Sequence, residues 1–360
     1  MKVGLTFAAC LALAGRALSA ASFAGSNLYY AAGLSTDQQD YLFKNLKASG
    51  IKVLRVWLDG QSEDQKKTKI NPFPSLEGTS PGSYNDEVLT RLDDLMHRAA
   101  TQYGIKLMIS MHSYNALKAN NDYYGKYWGT GDFYTNSDAI SAFKKRINHI
   151  MSHKNPNNGK TWAQSSEYIF AFEAQNEADQ PNTHPDTTAT WQCTMAKTIK
   201  DNLAGNGNIL SITGGGGWVD ASLPKALFSC DALDVLAIHA YGNGDLTVDK
   251  LSPYVKMAKD SGKKLIMQEW GACYFATSKN QDCDKGSPAS NRDANIKTWA
   301  DNISKAGIPW MYWQILPNED PHYGSDFEVG IDGVNWNTLK SVAAGTSKYT
   351  AQFDFSKWLL

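Results

Sequence analysis

Tyr168-Ile169-Phe170-Ala171-Phe172 is an unbroken apolar run that gives way at once to Glu173-Ala174-Gln175-Asn176-Glu177. The run is too short for a helix and has the length and the aromatic and β-branched content of a buried strand. A second run, Lys264-Leu265-Ile266-Met267-Gln268-Glu269-Trp270, also ends on a carboxylate. An acid at the end of an apolar strand is costly to place unless something there uses its charge.

Working outward, short apolar runs recur at Phe23–Tyr30, Val53–Trp57, Lys106–Met111, Ile209–Thr213, Val235–His239 and Trp310–Trp313. With Ile169–Ala174 and Lys264–Gln268 they make eight strands. Between them the spacing predicts helices over Thr36–Ala48, Asp86–Tyr103, Asp138–His153, Thr187–Leu203, Ser252–Ser261, Asn291–Ala306 and Trp336–Ala343. Only a short helix, within Asp220–Phe228, fits between the fifth and sixth strands. Eight strands alternating with helices predict an α/β chain closed into a (β/α)8 TIM barrel, a single domain over residues 21–360. No G-x-G-x-x-G follows the first strand, which weighs against a nucleotide-binding sheet. The run Gly214–Gly217 lacks the Gly-Lys-Ser/Thr ending of a phosphate loop and reads as a flexible loop at the barrel top.

The charges nearly cancel, with 35 Lys and Arg against 36 Asp and Glu. No basic stripe stands out, so neither nucleic acid nor an anionic membrane is an expected partner. A monomer is expected. Lys2, the apolar Val3–Ala14 and the small residues of Ala17–Ala21 read as a secretory signal over residues 1–20, too short to span a bilayer. A secreted, extracellular protein follows. Removing the signal takes Cys10 with it and leaves Cys193, Cys230, Cys273 and Cys283, an even set that fits two disulfides. Three pairings are open. Cys193–Cys230 with Cys273–Cys283 is preferred, because the second pair closes a short polar loop just after Glu269. Asn302-Ile303-Ser304 is a glycosylation sequon. No metal is expected, since His112 and His239 lack H-x-H or H-x-x-x-H partners, and no cofactor motif is present.

In a parallel barrel the loops after the C-terminal strand ends carry the chemistry. That rim collects Arg55, His112, Asn176, Glu177, His239, Tyr241, Glu269 and Trp313. Two glutamates so placed are what a double-displacement glycosidase needs, one as acid/base and one as nucleophile. Glu173 is read as an ion-pair partner inside the barrel and Asp59 as a surface-loop residue. Aromatics are 11% of the chain, with 11 Trp and 17 Tyr. Trp57, Trp128, Trp218 and Trp270 are candidate sugar platforms, since pyranose faces are apolar. A catalytically inactive carbohydrate-binding barrel is the non-enzyme alternative.

Taken together, Arg55 in Leu-Arg-Val-Trp, Asn176-Glu177 after Phe172-Glu173, His239-Ala240-Tyr241, Gln268-Glu269-Trp270-Gly271 and Trp313 resemble the motif set of glycoside hydrolase family 5. Within it, Phe23–Tyr30, Ser49–Trp57 and Asp132–Asn136 are similar to fungal endo-β-1,4-mannanases. Phe172–Ala178 departs from their Trp-Glu-Leu-x-Asn-Glu-Pro pattern, and Met111-His112-Ser113-Tyr114 is closer to the family's cellulases. The resemblance implies a retaining endo-β-glycosidase without a cofactor. Its substrate would be a cell-wall polysaccharide, β-1,4-mannan first and a β-1,4- or β-1,3-glucan as the alternative. It further implies that Glu177 is acid/base and Glu269 nucleophile, with Arg55 lowering the pKa of Glu269 and Tyr241 donating to it. The charge on Glu269 would raise the pKa of Glu177. Asn176 would hold the sugar 2-hydroxyl and Trp313 would floor the sugar at the cleavage point. His112 and His239 are expected as sugar or supporting donors.

Overall fold

The computed structural model describes residues 20–120 and 122–360. The signal expected over residues 1–20 therefore lies, except for Ala20, outside the described residues. Eight parallel strands close into a barrel in chain order: β1 (Ala24–Asn27), β2 (Ile51–Trp57), β3 (Lys106–Ser110), β4 (Ile169–Glu173), β5 (Leu210–Ile212), β6 (Val235–His239), β7 (Lys264–Trp270) and β8 (Trp310–Tyr312). β8 returns to pair with β1, aligning Ala24 with Trp310 and Ser26 with Tyr312. The strands are buried along nearly their whole length, as runs covered by helices outside and packed side chains inside must be.

Helices follow where the periodicity places them. The first, Thr36–Ala48, begins at a capping box in which Ser35 accepts from Gln38 N–H and the Gln38 side chain accepts from Ser35 N–H. The helix Glu87–Arg98 runs on into a wider π turn, Ala99–Tyr103, which stops at Gly104 in the left-handed region. The weak interval between β5 and β6 holds two four-residue helices, Val219–Ser222 and Lys225–Phe228. Pro224 separates them, because it forces Leu223 out of helical geometry and lacks an N–H of its own. Cys193 bonds Cys230 and Cys273 bonds Cys283, the preferred pairing.

One irregularity decides what the rim presents. Against β6, Ile238 aligns with Met267 but His239 aligns with Glu269; against β8, Trp310 aligns with Met267 and Tyr312 with Trp270. Both neighbours therefore meet an extra residue on β7 at Gln268. A bulge of this kind reverses the in-out alternation beyond it. Gln268 and Glu269 both face the barrel interior, and Trp270 turns outward.

Candidate active site

Arg55, near the end of β2, is fully buried inside the barrel top and spends its donors on three other strands. Nε and Nη2 clasp both oxygens of Glu173 at 2.9 and 2.6 Å. Nη2 also reaches Asn176 Oδ1 at 2.7 Å, and Nη1 reaches Asn27 Oδ1 at 3.1 Å and Glu269 Oε1 at 2.5 Å. Burial alone would weaken the guanidinium's charge, but Glu173 and Glu269 more than reverse this and raise its pKa. Asn27 Nδ2 in turn donates to the Gln268 and Tyr312 carbonyls, tying the β8–β1 seam to the same network. Glu173 is thus the internal ion-pair partner expected of it.

Glu269 accepts from Arg55 on one oxygen and from the Tyr241 hydroxyl on the other, at 2.8 Å. His239 Nδ1 lies 3.0 Å from Glu177 Oε1 and 3.4 Å from Glu269 Oε2. One oxygen of each glutamate and a ring nitrogen of His239 fall within 4.8 Å of one another. Burial pushes the Glu269 carboxyl up, with His239 and Arg55 pulling it down. The expected lowering by Arg55 is therefore present but smaller than the effect of removing water, and the net displacement is upward. For His239 burial works against the charged ring, yet the two carboxylates outweigh it and raise its pKa.

The hydrogen-bond directions locate a proton. Gln268 Nε2 donates to Glu173 at 2.6 Å, so Gln268 Oε1 is the acceptor facing His239 Nε2 at 2.7 Å. His239 Nε2 therefore carries a hydrogen. The contact between Nδ1 and Glu177 also needs one, supplied either by an imidazolium or by a carboxylic acid. A hydrogen thus lies on the contact between His239 and Glu177, while Glu269 accepts from Arg55 and Tyr241. That is the asymmetry an acid beside a nucleophile requires.

Local backbone geometry builds this arrangement. Glu177 adopts φ +48°, a left-handed conformation that costs a non-glycine residue about 1 kcal/mol. Its N–H is fixed on Gly214 O at 2.9 Å. The first three glycines of the run are closely packed, while Gly217 has room for a Cβ. A Cβ on Gly214 would meet Gln175 O at 1.9 Å, and one on Gly215 would meet His239 Cδ2 at 2.2 Å. The glycines are there so that strand ends and the His239 ring can approach closely.

The family model for cellulases of glycosyl hydrolase family 5 matches residues 17–319. The chain belongs to glycosyl hydrolase family 5. This family 5 enzyme is similar to mannan endo-1,4-beta-mannosidase A of Aspergillus aculeatus, 27% identical over 348 residues that cover 88% of this chain and 81% of the relative. A probable enzyme of the same name from Aspergillus niger is 26% identical, covering 91% and 82%. Among solved structures, the endo-1,4-beta-D-mannanase of Thermotoga petrophila superposes with a TM-score of 0.69 at 20% identity, covering 91% of this chain and 99% of that one. The endo-1,4-beta-mannanase of Rhizomucor miehei gives 0.68 at 21%, covering 91% and 95%. At such identities these two structures speak for the barrel fold.

The remaining expected site residues of the family 5 enzyme divide. Trp57 and Trp313 border the cluster with their rings 5.6 Å apart, and Tyr29, which the sequence did not single out, stacks on Trp313 at 6.1 Å and 13°. Trp218 is 41% exposed at the start of Val219–Ser222. Trp128 is half-buried against Tyr124 and Tyr127. Trp270 is no sugar platform: the β7 bulge turns it outward, where it packs edge-on against Trp310 and Tyr312. His112 is no sugar ligand either. It is buried beside Phe133, with Asp122 and Gln175 holding its two nitrogens. Its carbonyl accepts from Asn176 N–H at 2.8 Å, so it supports the rim through the backbone. Asp59 is buried rather than on a surface loop, and burial raises its pKa. Asn302 Nδ2 donates to Leu246 O from within the helix Arg292–Lys305, so a glycan there would have to break that bond. A concavity of about 800 Å³ lined by Lys144, Lys200 and Cys230 lies between outer helices, away from the two glutamates. Among the described residues no helix is long and apolar enough to cross a membrane.

Proposed function

We propose that the protein is a secreted endo-β-1,4-mannanase that works with retention of configuration. Glu177 protonates the leaving glycosidic oxygen while Glu269 attacks the anomeric carbon. A water deprotonated by Glu177 then releases the sugar from Glu269. The observation that carries this reading is the closeness of the two carboxylates, one oxygen of each lying within 4.8 Å of the other and both against His239 Nδ1, at 3.0 and 3.4 Å. An inverting pair needs about 6.5–9.5 Å to seat a water, and a retaining pair about 5–5.5 Å. Asn176 spends its Oδ1 on Arg55, which leaves its Nδ2, without an acceptor among the described residues, to meet the sugar 2-hydroxyl. Trp313 serves as the floor, with Tyr29 and Trp57 behind it. Arg55 and Tyr241 hold Glu269 in place as charge leaves it.

Mannan is favoured by the names of the relatives and by the mannanase-like segments of the sequence. Secretion is supported by the two disulfides, which persist in oxidising compartments. The test is hydrolysis of a panel of mannan, galactomannan, cellulose, mixed-linkage glucan, laminarin and galactan. Product lengths and the anomer first formed, by proton magnetic resonance, are recorded with it. Mannan cleaved internally to β-anomeric oligosaccharides is the expected result. A preference for a glucan overturns the substrate, and an α-anomer formed first overturns the mechanism. Glu177→Ala or Glu269→Ala protein with near-wild-type turnover overturns the residue roles.

A further inference from the structure

The loop that follows β8 folds Asp320, His322 and Asp326 against one another, away from the glutamate pair. His322 Nδ1 lies 3.0 Å from Asp326 Oδ2 and 3.3 Å from Asp320 Oδ2, and one donor atom from each residue falls within 4.8 Å of the others. Both aspartates are buried, Asp326 completely. Even so, Asp320 Oδ2 and Asp326 Oδ1 accept from no N–H or O–H donor among the described residues, and the two carboxyl groups lie within hydrogen-bonding reach of each other. The neighbouring cations are engaged elsewhere. Lys66 Nζ holds Glu328 and the Tyr323 carbonyl, and Arg292 donates to the Ala272, Phe327 and Glu328 carbonyls and to Asn335. Buried carboxylate oxygens this close to each other are costly unless a positive centre, a shared proton or a metal ion, lies between them.

We propose that Asp320, His322 and Asp326 form a binding site for one divalent first-row transition cation of the zinc type. The spacing fits such an ion. Zinc bonds of about 2.0–2.1 Å in a tetrahedron put neighbouring ligand atoms about 3.3 Å apart, and the two nitrogen-to-oxygen separations here are 3.0 and 3.3 Å. One imidazole nitrogen among the donors favours zinc over calcium or magnesium, which take oxygen shells. The His322 side chain is 23% exposed, so the ion has a way in and a position left for water. The imidazole is also fixed in orientation. Tyr274 stacks on it at 3.4 Å and 8°, and the His322 backbone N–H donates to Asp320 Oδ1.

The site joins two rim loops. Tyr274 N–H donates to the Asp326 carbonyl at 2.9 Å, and Asp326 N–H to the Cys283 carbonyl at 2.8 Å. A cation there braces the β8 loop against the disulfide-closed loop that follows Glu269. Its role is structural, and the hydrolytic step does not pass through it. The sequence hides the site because Asp-x-His-x-x-x-Asp matches none of the histidine pairs that advertise zinc.

The test uses the whole protein, stripped with a chelator and titrated with zinc chloride by calorimetry, with melting midpoints in parallel. Glu177, His239 and Glu269 also bring three donor atoms within 4.8 Å, so Glu177→Gln protein is titrated beside the wild type. The expected result is one zinc per chain and a midpoint raised by a few degrees, both kept in Glu177→Gln. In Asp326→Asn and His322→Gln the affinity falls at least about tenfold. Cobalt(II) bound to the wild type should show visible absorption typical of a low-coordinate site. Failure of the wild type to bind, unchanged binding in Asp326→Asn and His322→Gln, or loss in Glu177→Gln each overturns the proposal. If Asp326→Asn does not fold, the more exposed His322→Gln and the cobalt spectrum decide.

Discussion

Gly215→Ala adds one methyl group and is predicted to disable the enzyme. Gly215 has φ +68°, and the new Cβ would lie 2.2 Å from His239 Cδ2 and 2.6 Å from both Cγ and Nε2. Ordinary contact begins near 3.4 Å, so the ring must retreat by roughly 1.2 Å, the difference from 2.2 Å. The ring is pinned at 3.0 Å to Glu177 and at 2.7 Å to Gln268, and a shift of that size breaks at least one of these bonds. Losing a hydrogen bond to a charged group costs about 1.5–3 kcal/mol, and the left-handed backbone costs alanine about 1 kcal/mol more. Stability should fall by about 3 kcal/mol, a drop of roughly 4 °C in melting midpoint for a barrel of this size. Displacing the proton partner of Glu177 by about 1 Å should lower kcat on soluble galactomannan about 100-fold. Gly217→Ala is the control, since its Cβ meets nothing closer than Gln180 at 3.8 Å. A Gly215→Ala protein within twofold of wild type in kcat, with an unshifted midpoint, refutes the packing argument and with it the role given to His239.

Glu269 and His239 both have raised folded-state pKa values, so each holds its proton more tightly in the native chain than in the unfolded one and loses stability as pH rises. The Glu269→Gln protein should therefore gain stability relative to wild type as pH climbs above 4.5, the ordinary value for a glutamate. A stability difference that stays flat from about pH 4 to 8 contradicts the shift. By loop length, removing Cys193–Cys230 (separation 37) should cost about 4 kcal/mol and removing Cys273–Cys283 (separation 10) about 2.7 kcal/mol in denaturant titrations. Only the second should also impair turnover, because Asn280 within its loop donates to the Tyr241 and Gly271 carbonyls. Equal kinetic damage from both losses contradicts that link. Trp270→Ala should destabilise by about 3–5 kcal/mol through its core cavity. Trp218→Ala should leave stability within about 0.5 kcal/mol and raise KM on long substrates; the reverse pattern would return Trp270 to the cleft.

The barrel was legible because strands buried on both faces are written as continuous apolar runs, and the polar residue that ends each run lies on the rim by topology alone. Arg55, Asn176, Glu177, His239, Tyr241 and Glu269 all converge for that reason. What stayed hidden depended on one-residue geometry. Trp270 follows Gln268 by two and should share its face, but a bulge visible only in the pairing of β7 with its neighbours reverses it. His112 comes just after β3 as His239 ends β6, yet its partners Asp122 and Gln175 come from the loop that follows β3 and from just beyond β4, contacts with no local signature. Gly214–Gly216 looked like freedom of the backbone and proved to be closeness of packing, which the letters do not distinguish. The partners of Gln268 and Asn27 are likewise remote in sequence, so their parts in the network could not be read from spacing.

The guanidinium of Arg55 draws on Asn27, Glu173 and Asn176, all from the first half of the barrel, and reaches across to Glu269 in the second. The first half-barrel can thus satisfy nearly all of that charge by itself. The second half carries Gln268, His239 and Glu269, each with a partner across the divide in Glu173, Glu177 and Arg55 respectively. Neither half holds both Glu177 and Glu269, which meet only when the halves dock. A chain divided in the turn Ala204–Asn208 keeps its halves joined through Cys193–Cys230; with that disulfide reduced, hydrolysis should report half-barrel docking, since recovered activity then requires the two halves to meet across Arg55 and His239.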